Sequence, residues 1–173
     1  MMKIFIASNE KAVSTALLVL RIGVGAIMFA HGAQKVFGIW GGKGLATTVQ
    51  MMSQGLGGPA WLPYFSAFTE FLGGTFILFG LLTRFWSIAV LINMCVAIFA
   101  VHLKNGFFAP MGFEFPGLVA MCALALAIAG PGMFSLDWAI FHPREGSMHV
   151  RHTTRLFPPF SVPGGSAQFK PTK

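Results

Sequence analysis

Apolar residues run along this chain in four long blocks, separated by polar, glycine- or proline-bearing breaks of unequal length. The blocks cover roughly Val13 to Ala33, Tyr64 to Leu82, Phe85 to Val101 and Phe115 to Ala129. None alternates polar and apolar residues as a half-buried strand does. A helix needs about 20 mostly apolar residues to cross the hydrocarbon core of a membrane. Hydrocarbon offers the backbone no hydrogen-bond partners, so only helices or a closed barrel can cross it. The pattern therefore predicts an all-α fold, a transmembrane bundle of four helices, the last of them short. Two interfacial helices complete the expectation. LATTVQMMSQGL places Leu45, Val49, Met52 and Leu56 on one helical face between helices one and two. After helix four, Ser135 caps a short helix from Leu136 to Phe141, whose Trp138 suits the headgroup level. Thr83–Arg84 is read as the tight turn between helices two and three.

Composition agrees with that reading. Of 173 residues, 55% are hydrophobic and only 10% charged, against about 25% charged in a typical soluble domain. The net charge of +7 invites a nucleic-acid interpretation, but no strip of interleaved basic and aromatic residues supports one. In a membrane protein lysine and arginine collect on the cytoplasmic side. Lys3, Lys11, Arg84, Arg144, Arg151, Arg155, Lys170 and Lys173 fall on the side that holds both termini; Lys35, Lys43 and Lys104 fall on the other. Both termini of this multi-pass protein are expected in the cytoplasm, with the Lys35 end facing out, towards a periplasm or its equivalent. The N-terminal apolar run has a charged interruption before it and no small-residue cleavage site after it, so it is expected to stay as a membrane helix. From His142 onward the chain turns polar, basic and rich in proline and glycine, a composition that cannot build a core alone. Cys95 and Cys122 sit singly within apolar runs and read as small buried hydrophobes.

Polar residues inside the blocks carry the candidate chemistry. Counted from the outer helix ends, Arg21 and Glu70 both lie roughly 12–15 Å deep. Opposite charges at equal depth predict an Arg21–Glu70 salt bridge; Asn93, at a similar depth, joins that pair or bonds a neighbouring helix. Such a pair either fixes helix register or handles protons or substrate. At the outer end His31, Lys35, His102 and Glu114 converge, beside Trp40, Phe107, Phe108 and Phe113. Singly these are interface histidines, snorkelling lysines and an acid at a helix N-terminus. Together they resemble a pocket suited to a quinone head, with aromatic rings for stacking, donors for the carbonyls and a proton carrier nearby. Two histidines on different helices could also ligate a haem, but nothing else in the sequence marks a porphyrin slot. There is no metal, flavin or haem motif, so a redox role needs electrons from a partner protein or a substrate.

LRIGVGAIMFAHGAQKVFG, EFLGGTFILFGLLTRF, HLKNGFF and LALAIAGPGMFSLD occur in this order, and with them the chain resembles the DoxX family of small bacterial membrane proteins from about residue 13 to 141. The resemblance implies a four-helix membrane domain over residues 1–141 and a link to membrane redox chemistry. Relatives include a subunit of an archaeal thiosulfate:quinone oxidoreductase. The basic tail, residues 142–173, lies outside the family pattern. Two functions follow. In the first, the chain is a redox-associated membrane subunit, part of a quinone-linked oxidoreductase, with His31, Lys35, His102 and Glu114 as the reactive groups and Trp40, Phe107 and Phe108 around the ring. In the second, it is a non-catalytic anchor or assembly subunit of a larger membrane complex whose tail docks a protein partner.

Overall fold

The computed structural model divides the chain into two units, Met1–His142 and Pro143–Lys173. It describes residues 9–142 apart from residues 57 and 109. The expectations for Lys3 and for the basic tail therefore lie outside the described residues.

Six helices and no strands occur among the described residues. Helix α1 spans Glu10–Phe37, α2 Gly44–Leu56, α3 Leu62–Phe79 and α4 Thr83–Asn105. Helix α5 spans Glu114–Ala129 and α6 Leu136–Phe141. Local signals explain most of the boundaries. The Asn9 side chain accepts a hydrogen bond from the Ala12 N–H at the start of α1, and Gly38, at φ 73°, ends it with a bond to the Gln34 carbonyl. The amphipathic α2 and the Ser135-capped α6 stand where the sequence pattern puts them.

Helices α1, α3 and α4 are long and apolar enough to cross a membrane; α5 is apolar but shorter. The most hydrophobic window of α4 has a mean hydropathy of 2.1, yet only 22% of it is buried inside the protein. Its apolar side chains therefore face outward, as a lipid solvent requires and water would penalise. The inward stripe is narrow. Val24, Met28, Ile77, Val90, Met94, Val119, Ala123 and Leu126 form the core.

The turn between α3 and α4 lies at Gly80–Leu82, not at Thr83–Arg84. Gly80 takes the left-handed conformation at φ 72° that stops α3. The Asp137 carboxylate accepts from the N–H groups of Leu82 (2.7 Å) and Thr83 (2.9 Å), so α4 begins at Thr83. An acid from a distant helix does what a local cap usually does.

Glycines set the register of the antiparallel α1–α3 pair. Gly25 lies against Leu78, Gly32 against the backbone of Phe71, and Gly74 against that of Phe29, with no room for a β-carbon at any of the three. This register overturns the expected Arg21–Glu70 salt bridge. Arg21 falls level with Gly80, whose missing side chain makes space for the guanidinium. Glu70 falls near Ala33, about 18 Å further along α1. Side-chain direction widens the gap. Helical side chains lean toward the N-terminus of their own helix. On antiparallel helices Arg21 and Glu70 therefore lean apart, while Lys35, near the C-terminal end of α1, leans back toward Glu70.

Candidate functional site

Lys35 Nζ lies 2.6 Å from Glu70 Oε1 and forms the ion pair. The Glu70 side chain is only 5% exposed and that of Lys35 29%. Asn93 Nδ2 donates to the same Oε1 at 3.2 Å, so the expected link between Asn93 and Glu70 is present. Lys35 also reaches Ser66 Oγ at 3.4 Å. Thr48, on α2, donates to the Lys35 carbonyl at 3.5 Å. Four helices thus contribute to one polar cluster. Glu70 Oε2 is buried and has no hydrogen-bond partner among the described residues. A carboxylate oxygen left this way is costly unless something else satisfies it.

Two irregular turns flank the cluster. Helix α3 widens to a π-helical turn over Thr69–Gly73, which carries Glu70, and α4 does so over Ile98–His102. Single π turns inside α-helices recur at functional sites, because the extra residue re-aims side chains that a regular helix would not present.

Two cavities meet at the pair. The first, about 390 Å³, is bounded by Lys35, Glu70 and Asn93, by Thr48, Met51 and Met52 of α2, and by His102. The second, about 440 Å³, is bounded by Met28, His31, Lys35, Glu70, Met94, His102 and Phe115. Lys35, Glu70, Ala97 and His102 belong to both walls. Each volume lies within the range of small-molecule pockets, about 300–1,000 Å³. The arrangement places a cation, an amide donor, a hydroxyl and an acid with one unpartnered oxygen beside a chamber whose wall also carries Met51, Met52, Leu62, Val96, Ala97 and Val101.

The sequence-predicted residues divide into two groups. His31, Lys35, His102, Glu70 and Asn93 come together around these cavities. The His31 ring lies 5.8 Å from that of Phe115, and His102 Nδ1 is 2.9 Å from the Met111 carbonyl oxygen. Glu114, Trp40, Phe107 and Phe108 are not among the residues bounding either cavity. Glu114 opens α5, its N–H bonded to the Phe107 carbonyl. Trp40 packs edge-on against Phe29, and Phe107 packs against Phe108 and Phe113. Arg21 goes to the opposite end, where Nη2 donates to the Phe134 carbonyl. The sequence reading did not assign Ser66, Thr48, Met51 or Met52 to the site. Ser66 was findable, since it precedes Glu70 by one helical turn and so shares its face. The α2 residues reach the site through tertiary packing.

Residues 16–103 match the DoxX family. The chain is 30% identical over 136 residues to a Bacillus subtilis (strain 168) protein named "Putative oxidoreductase CatD", an alignment covering 79% of this chain and 95% of that one. No solved structure gives a significant match.

Proposed function

Because the chain belongs to the DoxX family, we propose that it is a membrane redox-associated protein that holds a quinone or quinol head in the first cavity, against the Lys35–Glu70 pair. The observation that carries this reading is Glu70 itself. Its Oε1 is taken by Lys35 and Asn93, its Oε2 is buried without a partner among the described residues, and the residue bounds both cavities. The relative's name supports a redox role, and the donor set suits the ring. A quinone carbonyl accepts hydrogen bonds, which the Lys35 ammonium, the Ser66 hydroxyl and the Asn93 amide can donate. A quinol hydroxyl donates, which Glu70 Oε2 can accept. A bound quinone supplies two-electron, two-proton chemistry. The residues orient the ring, neutralise charge on its oxygens and offer the quinol O–H an acceptor at Glu70. His31 and His102, in the wall of the second cavity, are the groups that pass protons between Glu70 and the helix ends. Electrons come from a partner protein or a second substrate.

In this reading α5 is the fourth crossing, completing a four-helix transmembrane bundle in a bacterial inner membrane. At about 24 Å it crosses with little tilt. Both termini lie in the cytoplasm and the Lys35 end faces outward, following the distribution of lysine and arginine. The test is mass spectrometry of quinone co-purifying with detergent-extracted protein, comparing wild type with Lys35→Met, Glu70→Gln and His31→Ala of equal folded yield. Quinone retained by the wild type and lost from Lys35→Met and Glu70→Gln is the expected result. Its absence from the wild type, or its full retention in Glu70→Gln, overturns the assignment.

A further inference from the structure

His102 is held in place by the chain that follows it. The π-helical turn Ile98–His102 passes into a tighter turn over Leu103–Asn105, and the chain then folds back on itself. The Phe113 N–H donates to the Gly106 carbonyl at 3.1 Å, and the Glu114 N–H to that of Phe107 at 2.9 Å. Gly112 packs on the carbonyls of Phe107 and Phe108 with no room for a β-carbon. The loop thereby brings the Met111 carbonyl to two side chains of α4. His102 Nδ1 lies 2.9 Å from it and Asn105 Nδ2 donates to it at 3.2 Å. Asn105 also donates to the Val101 carbonyl at 3.2 Å, tying the loop to its own helix.

A carbonyl oxygen only accepts, so the proton of that bond sits on His102 Nδ1. In the neutral ring the lone pair is then on Nε2, the nitrogen left for a ligand. His102 bounds both cavities, as does Glu70, whose Oε2 is buried without a partner among the described residues. The site thus holds two acceptors for which the protein itself has no use. Its donors are already engaged: Lys35 and Asn93 with Glu70 Oε1, and Thr48 with the Lys35 carbonyl.

We propose that His102, fixed in its Nδ1–H form by the Met111 carbonyl with Asn105 as positioning residue, makes the first cavity favour the reduced quinol over the oxidised quinone. The inference rests on the head-site reading and adds the redox state of the ligand to it. A quinol brings two O–H donors to the two acceptors. A quinone has no O–H to give and is held through Lys35 and Asn93 alone. A site built to bond a hydroxyl discriminates against the analogue lacking one, because its own polar groups are then left unpaired. Protonation of the ring turns Nε2 into a donor, so the preference should fade as pH falls. The other charged or titratable groups around His102 are His31 and Lys35 of α1, Lys43 ahead of α2 and Glu70 of α3. Lys104 follows on its own helix, and Glu114 opens α5.

The experiment measures anaerobic equilibrium binding to the full chain in nanodiscs of fixed lipid composition. The probes are a decyl-substituted dimethoxy-methyl-benzoquinone and its chemically reduced quinol. Wild type should bind the quinol more tightly, and less selectively at acid pH. His102→Phe should weaken the quinol about tenfold and leave the quinone within about twofold. Asn105→Ala should weaken the quinol about threefold. Nitrogen NMR of histidine-labelled wild type at alkaline pH supplies a reading without ligand. The signal lost in His102→Phe should show Nδ1 protonated and Nε2 bare, and Asn105→Ala should mix the two forms. An Nε2–H form in wild type, a preference for the quinone, or equal weakening of both probes by His102→Phe overturns the assignment and leaves the head site standing. Unchanged binding and NMR in Asn105→Ala remove Asn105 as a positioning residue. Failure of wild type to bind either probe overturns the head site, and the assignment of His102 falls with it.

Discussion

The protein buries strong charge at both ends of its helical core, and the two ends use it differently. At one end Arg21, fully buried, donates to the Phe134 carbonyl, and Asp137 is the acid whose charge acts on it. Asp137 in turn holds the Leu82 and Thr83 N–H groups and donates its own N–H to the Gly80 carbonyl at 2.9 Å. These bonds tie α1, the α3–α4 turn and α6 together. At the other end Lys35, Glu70, Asn93 and Ser66 meet across three helices but border two cavities. Both groups leave buried polar atoms unpartnered: Nε and Nη1 of Arg21, Oε2 of Glu70. Among the described residues of these two groups, Glu70 also bounds the two cavities. A buried charge is therefore a poor guide to function by itself. The chamber beside it is what separates a clasp from a site.

Substitutions can test that division. The largest effect is expected from Arg21→Ala, which leaves the Phe134 carbonyl without its donor, removes the positive charge acting on Asp137 and opens a void. Breaking a buried charged network costs on the order of 3 kcal/mol or more, so folded yield and thermal midpoint should drop sharply. Any folded fraction should still bind quinone; selective loss of binding in well-folded protein would erase the distinction between the two ends. Glu70→Gln should do the reverse. The fold should survive, because the amide keeps a bond to Asn93 and Lys35 can reach water, while quinone binding falls about tenfold. A collapse in thermal stability with unchanged binding would make Glu70 another clasp. Asp137→Asn weakens the charged cap of α4 and should cost about 1 kcal/mol, seen as a modest fall in thermal midpoint with binding intact. Phe108→Ala and Trp40→Ala remove rings that bound neither cavity and should leave quinone binding within about twofold. A larger loss would extend the site to the exposed aromatic loops.

Much of this architecture was open to sequence reasoning, for local reasons. Each long apolar block became a helix because the membrane leaves the backbone no other partner than itself. Asn9 and Ser135 act on N–H groups within their own first turns, so their roles follow from neighbours in the chain. The convergence of His31, Lys35 and His102 on one end also follows, since alternating helices bring every second terminus together. Membership of the site did not follow so simply. Trp40, Phe107 and Phe108 share that end, but their rings turn toward one another and toward Phe29 and Phe113. Glu114 shares it too, without reaching a cavity wall. Thr48, Met51 and Met52 enter only because α2 folds back over the Lys35 end.

The sequence by itself determined the helical class, the approximate extent of the apolar helices, the short helices α2 and α6, and the need for Arg21 and Glu70 to find partners. Only the tertiary structure decided which partners. That choice depends on the α1–α3 register, set by backbone contact at Gly25, Gly32 and Gly74, and on the lean of helical side chains toward their own N-termini. Counting depth along each helix treats Arg21 and Glu70 as level. Packing the helices moves them about 18 Å apart, and delivers Glu70 to Lys35 and Arg21 to the neighbourhood of Asp137.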